Sequence, residues 1–243
     1  GSFLSSKIAR SITDIENSAY FAEYSYNRNP DSFALGAIAL EALIANGQIT
    51  EALPIGLKIS KNMPEITLAQ YISMIDSLNS NSYSKVLDVL LNISPNGIDN
   101  FILPILQTWA AAGSNKELGG LEIMKGQANR GVLDPLYDYQ SALIYEFIGD
   151  IENAHISYKN IIKRSNNANA HVYSRAAIFF ANNNLPDLYS ETLNKLETID
   201  PYSNELFILK KNENYAKETK ISNIKQGISE VFLNSAEILF NEG

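Results

Sequence analysis

The spacing of its helix breaks constrains this chain more than any other feature. Apolar residues recur at helical intervals through most of the sequence, as in Ile38, Leu40, Leu43 and Ile44 and again in Ile102, Ile105, Leu106 and Trp109. The runs end at Asn, Gly, Asp or Pro, and Pro30 and Pro64 stand 34 residues apart. A second series of breaks interleaves with these. Thr13, Gly47 and Asn81 are 34 residues apart, Gly113 follows after 32, Gly149 after 36 and Asn184 after 35. Two breaks per 34 residues describe a helix–turn–helix unit, and such units stack because no pair can bury its apolar face alone. The residue inside each unit's turn is placed to take the left-handed conformation that closes a helix. Strand-like alternation is nearly absent, so the spacing predicts an all-α chain.

The register carries a recognisable side-chain pattern. In Asp138–Lys163, Ala142 and Tyr145 stand three apart, Gly149 makes the turn, and Ala154 and Tyr158 stand four apart. Gly47, Ala52 and Pro64 form a second copy, and Ala177, Phe180 and Pro201 a third. Leu106 and Trp109 keep the three-residue spacing in another, with Leu118 in place of the second small residue, and Met74, Ser77 and Val86 mark the most degenerate copy. These residues resemble the tetratricopeptide repeat family. The resemblance implies a right-handed α-solenoid of stacked antiparallel helix pairs, six repeats and a partial seventh. The pairs are expected near 3–28, 31–61, 65–93, 98–129, 134–164 and 168–199, within a solenoid spanning 1–201. A short helix and a polar linker follow over 202–226. The segment 227–243 is expected to be the first helix of a truncated seventh repeat, with Val231, Phe232, Ile238, Leu239 and Phe240 needing cover from the sixth unit or another chain. A weaker resemblance, over Ser2–Ala9, Leu53–Ile59 and Gly227–Gly243, is to long alphaproteobacterial tetratricopeptide proteins, many of them exported. It favours export over a cytoplasmic location. The end of the chain directly after an apolar helical run leads to the expectation of a piece of a longer protein, and its abundance of Asn and Ile to that of a bacterial source.

Composition removes most chemistry. The chain has 243 residues and a net charge of −8, the wrong sign for a duplex nucleic-acid binder. It contains no Cys and only two His, His155 and His171, which excludes thiolate nucleophiles and argues against a metal site. No apolar stretch reaches the roughly 20 residues of a membrane span. Gly119, Gly120, Gly126 and Gly131 lack the ending of a phosphate loop, and no Gly-x-Ser-x-Gly elbow is present. Ser82–Lys85 and Ser222–Lys225 match a Ser-x-x-Lys spacing short enough to arise by chance. The acid pairs Asp14/Glu16 and Asp150/Glu152 follow a turn, where carboxylates favour the positive end of the next helix. No catalytic, cofactor or metal residue is nominated, and the chain is expected not to be an enzyme.

The resemblance leaves one place for function, the concave groove lined by the first helix of each pair. Register maps Lys7 and Arg10 to it in the first unit and Glu41 in the second. The groove candidates are Tyr71 and Ile75, then Leu103 and Gln107, then Tyr139, Leu143 and Glu146. The Lys, Asn and Arg clamp of chaperone-tail binders is replaced by apolar and aromatic residues, which favours an apolar or aromatic-bearing protein or peptide ligand. An open wall of this kind calls for cover by a partner peptide, a second chain through the C-terminal helix, or the chain's own segment 203–226. The expected function is a protein-interaction scaffold. The alternative is the repeat portion of a larger enzyme or secretion assembly with its activity elsewhere.

Overall fold

The computed structural model describes residues 1–114, 134–164, 169–211 and 220–242. Among them are thirteen helices and no strand: α1 (Ser2–Ser11), α2 (Ile15–Arg28), α3 (Phe33–Ala45), α4 (Ile49–Asn62), α5 (Thr67–Asn79), α6 (Tyr83–Leu91), α7 (Asp99–Gly113), α8 (Asp134–Ile148), α9 (Ile151–Arg164), α10 (Ala170–Asn182), α11 (Pro186–Ile199), α12 (Asn204–Lys211) and α13 (Ile224–Glu242). The second helix expected after Gly113 and the linker over 212–219 lie outside the described residues. The helices gather into two compact units, Gly1–Asn100 and Phe101–Gly243.

Five hairpins share one connector. Thr13, Gly47, Asn81, Gly149 and Asn184 all have positive φ, between 54° and 82°. These are five of the turn positions that the spacing marks. At each, the next residue's N–H donates to the carbonyl five residues back: Asp14 to Ala9, Gln48 to Leu43, Ser82 to Ser77, Asp150 to Tyr145 and Leu185 to Phe180, at 2.9–3.0 Å. The positive-φ residue donates to the carbonyl three back, Thr13 to Arg10 and Gly47 to Ile44 among them. This pair of bonds is a Schellman closure of the first helix. The same next residue is the N-cap of the second helix in α2, α4, α6 and α11. Asp14-Ile15-Glu16-Asn17 recurs as Asp150-Ile151-Glu152-Asn153. In both, the aspartate accepts from the backbone N–H and the side-chain amide of the asparagine three residues on. The aspartate of each acid pair is therefore a helix cap worth about 1 kcal/mol, and Glu16 and Glu152 stand in the first turn that follows. Gly113 differs, being itself the last helical residue of α7.

In the first unit each helix packs on the next, and α3 also meets α5, which sets first helices side by side. Small residues at the contacts, Ala39, Ala52 and Ala69, let Leu40, Leu43, Ile55, Ile59 and Ile72 close into one core. In the second unit α8 pairs with α9 and α10 with α11. Ala142 and Ala154 are fully buried, as is Tyr158, whose ring packs 4.7 Å from that of Phe179; Tyr145 is only half-buried.

The C-terminal elements depart from the expected layout. The short helix α12 packs on both α10 and α11, burying Leu206 and Leu209. That is the relation α5 has to α3 and α4, so α12 takes the place of the next first helix. The last helix starts at Ile224, three residues earlier than expected, and packs against α8.

Two substitutions test this packing. Thr13 is a β-branched residue at φ 62° where other connectors use Gly or Asn. Thr13→Gly is expected to raise stability by about 1 kcal/mol in urea denaturation followed by circular dichroism. Ala154→Leu is expected to overpack the α8–α9 contact and lower stability by roughly 1–3 kcal/mol. Unchanged denaturation of Ala154→Leu would contradict the close contact.

Candidate functional site

Several polar side chains on the first-helix faces reach across helices. In the first unit, the Arg10 guanidinium on α1 donates two hydrogen bonds, of 2.9 and 2.6 Å, to the Glu41 carboxylate on α3. These two residues, mapped to the groove by register, are brought together and line a cavity of about 220 Å3 with Thr13, Ile15, Ser18 and Ala42. Tyr71 on α5 donates to Asp99 at 2.7 Å. Burial, and then the Asp99 carboxylate, push its phenol pKa upward. Tyr71 and Ile75 are half-buried and keep an accessible edge.

In the second unit the expected open wall is closed. Leu103, Tyr139 and Leu143 are 3%, 1% and 0% exposed, and Glu146 has 8% of its side chain exposed. Gln107 is half-buried. The reason is that α7 and α8 are packed on several sides, and the chain's own α13 covers Tyr139 on a further one. Of the expected own-chain cover, 203–226, residues 212–219 lie outside the described residues, and the cover seen over Tyr139 is α13, which begins at Ile224.

Four residues on one stripe of α13 make the contact. Gly227 lies against the face of the Trp109 ring, and a Cβ there would sit 2.5 Å from three ring carbons. Glu230 accepts from the Tyr139 hydroxyl at 3.0 Å and from His171 Nε2 at 2.8 Å. Asn234 Oδ1 accepts from Gln140 Nε2 at 3.3 Å, and Gln140 Oε1 in turn accepts from the Trp109 indole N–H at 2.9 Å. Glu237 accepts from Asn169, the residue that caps α10. Ile224, Ile228 and Val231 bury their side chains along the same helix. Its start is capped by Asn223, and the Gln226 side chain reaches back to Ser222, so Ser222 serves a helix start.

Beneath this contact lies a buried polar cluster. Tyr158 donates to Glu146 at 2.9 Å, and the Arg175 guanidinium is 3.9 Å from the same carboxylate. Burial raises the Glu146 pKa, opposed by Arg175 and the Tyr158 hydrogen bond. The hydrogen bond to Glu230 raises the His171 pKa against its partial burial. Burial would raise Glu230, but the hydrogen bonds and charge from His171 and Tyr139 lower it overall. A cleft of about 510 Å3 opens beside the cluster, lined by Arg175, Lys220, Lys225, Ser229 and Glu230. His155 packs edge-on against Phe180.

No family model and no curated protein matches this chain. Among the described residues, no group of three or more His, Cys, Asp or Glu could hold a metal, and no helix is long and apolar enough to cross a membrane.

Sequence reasoning missed the Gly227, Glu230, Asn234 and Glu237 stripe, together with Gln140 and the role of His171. The available signal was polar Glu230 and Asn234 standing among the apolar positions of one helix.

The His171–Glu230 pair links α13 to pH. A raised histidine pKa stabilises fully below its ordinary value of 6.5 and is lost as pH rises through the folded value. A lowered carboxylate pKa stabilises above its ordinary 4.5 and is lost as pH falls through the folded value. The groups facing His171 besides Glu230 are Glu237, which acts with it, and Arg175, which opposes it. The stability difference between the parent and His171→Gln should therefore be largest between pH 4.5 and 6.5 and shrink above. About 1.5–3 kcal/mol is expected at its maximum, the range of a hydrogen bond to a charged group. Thermal unfolding followed by Trp109 fluorescence reads it directly.

Proposed function

We propose that the chain is a non-enzymatic protein-interaction scaffold of the tetratricopeptide type, a right-handed solenoid of about six helix pairs that binds a protein segment along its first-helix faces. The observation that carries this reading is that one helix, α13, already lies side-on across first-helix residues of α8 and α10. Connectors recurring at 34- and 35-residue intervals support the family assignment. The face accessible to a ligand in the first unit includes Tyr71, Ile75 and the Arg10–Glu41 pair.

A photo-crosslinking residue placed at Ile75, on a first helix, is expected to give a discrete protein adduct in bacterial cells. The same residue at Lys85, exposed on the second helix α6, should not. Equal adducts at both positions, or none at Ile75, would reject the reading.

A further inference from the structure

The second unit does not need α13 to close its stack. The helix α12 already covers α10 and α11. What α13 covers instead is the face presented by Trp109, Tyr139, Gln140, Asn169 and His171, and it meets that face with a defined order of side chains. Glycine stands where the Trp109 ring leaves no room for a Cβ. A carboxylate stands where two donors, Tyr139 and His171, converge. An amide stands opposite Gln140, and a second carboxylate opposite the Asn169 amide. These are Gly227, Glu230, Asn234 and Glu237, a single helical stripe.

We propose that the face formed by α7, α8 and α10 is a seat for an amphipathic helix presented by a partner protein. In this proposal α13 holds the seat in cis with the same order of residues the partner carries: Gly, Glu, Asn and Glu at relative positions 0, 3, 7 and 10. Three observations favour a seat over a permanent core element. The contact is specified by polar complementarity, with two carboxylates on the helix meeting hydrogen-bond donors on the face and Glu230 meeting the basic His171. The seat is imperfect, because Asn234 Nδ2 is buried without a hydrogen-bond partner, which offsets part of what docking gains. The outer side of α13 exposes Phe232 and Leu233. The inference rests on the scaffold reading and adds the chemistry of the partner.

The test uses the full chain and a fluorescein-labelled peptide of residues 220–242 as the probe, with anisotropy as readout. Gly227→Val unseats α13 by bulk against Trp109. Glu230→Lys unseats it independently, by placing a cation beside His171 and Arg175. The peptide is expected to bind both variants at least tenfold more tightly than the parent. A peptide carrying Glu230→Lys and Asn234→Leu should bind the Gly227→Val chain at least tenfold more weakly than the unaltered peptide. Equal affinity for parent and both variants, no binding to any chain, or indifference to the peptide changes would overturn the proposal. Dimerisation of either variant in sedimentation without peptide would assign the seat to a second copy and overturn the partner assignment. Adducts at Ile75 are read in the first unit, so their persistence alongside a failed peptide experiment rejects the seat and leaves the scaffold reading standing.

Discussion

At five hairpins a single residue of left-handed backbone closes one helix and positions the cap of the next. The two closing bonds fix the exit direction of the chain within three residues, so the second helix of each pair returns antiparallel with no slack. The closure satisfies carbonyls that a helix end would otherwise leave unpaired, and the following N-cap begins satisfying the next helix's orphan N–H groups. Because the connector is short, the residue that follows it by five positions meets the preceding helix at the same height in three of the five hairpins. Ala52, Val86 and Ala154, each five residues past the left-handed position, are all fully buried. Helix pairing in both units follows from that backbone geometry more than from any individual apolar contact.

The same geometry creates the polar demand of the second unit. Packing α8 and α10 side by side buries Tyr139, Tyr158, Glu146 and Arg175 together. Buried charges are costly unless they are paired and hydrogen-bonded. Glu146 is met by Tyr158 and Arg175. Tyr139 and His171 point the other way, and their acceptor, Glu230, comes from α13. The last helix is therefore tied to the chemistry of the stack rather than to its shape.

This division explains what the sequence made legible. Left-handed connectors have a local signature in Gly and Asn, and even Thr13, which lacks it, falls on the 34-residue grid. The return of α13 has no local signature. Its apolar residues, Ile224, Ile228 and Val231, follow the spacing that a further stacked helix would show. Glu230 and Asn234 acquire meaning only from Tyr139, Gln140 and His171, which lie 59 to 94 residues away along the chain. Of the wall residues, Leu103 lies on α7 and Tyr139 and Leu143 on α8, and the cover over Tyr139 comes from that long-range partner. At Gly113 the local sign is present but the residue stays helical as the last of α7, since a glycine permits a left-handed turn without requiring one.

The two units satisfy their first-helix faces differently, and the difference bears on selectivity. In the first unit donor and acceptor both lie on the stacked helices or the segment directly following them: Arg10 with Glu41, Tyr71 with Asp99. In the second, donors on α8 and α10 take their acceptors from a separate helix. Water can replace those acceptors when the face is exposed. An apolar helix laid on the same face cannot. It would leave the Tyr139 hydroxyl, the His171 N–H and the Gln140 amide buried and unpaired, at about 1–3 kcal/mol each. A helix carrying a bulkier residue in place of Gly227 would also collide with Trp109. In the proposed seat, selection therefore rests mainly on what the face penalises, at the positions where α13 carries Gly227, Glu230 and Asn234.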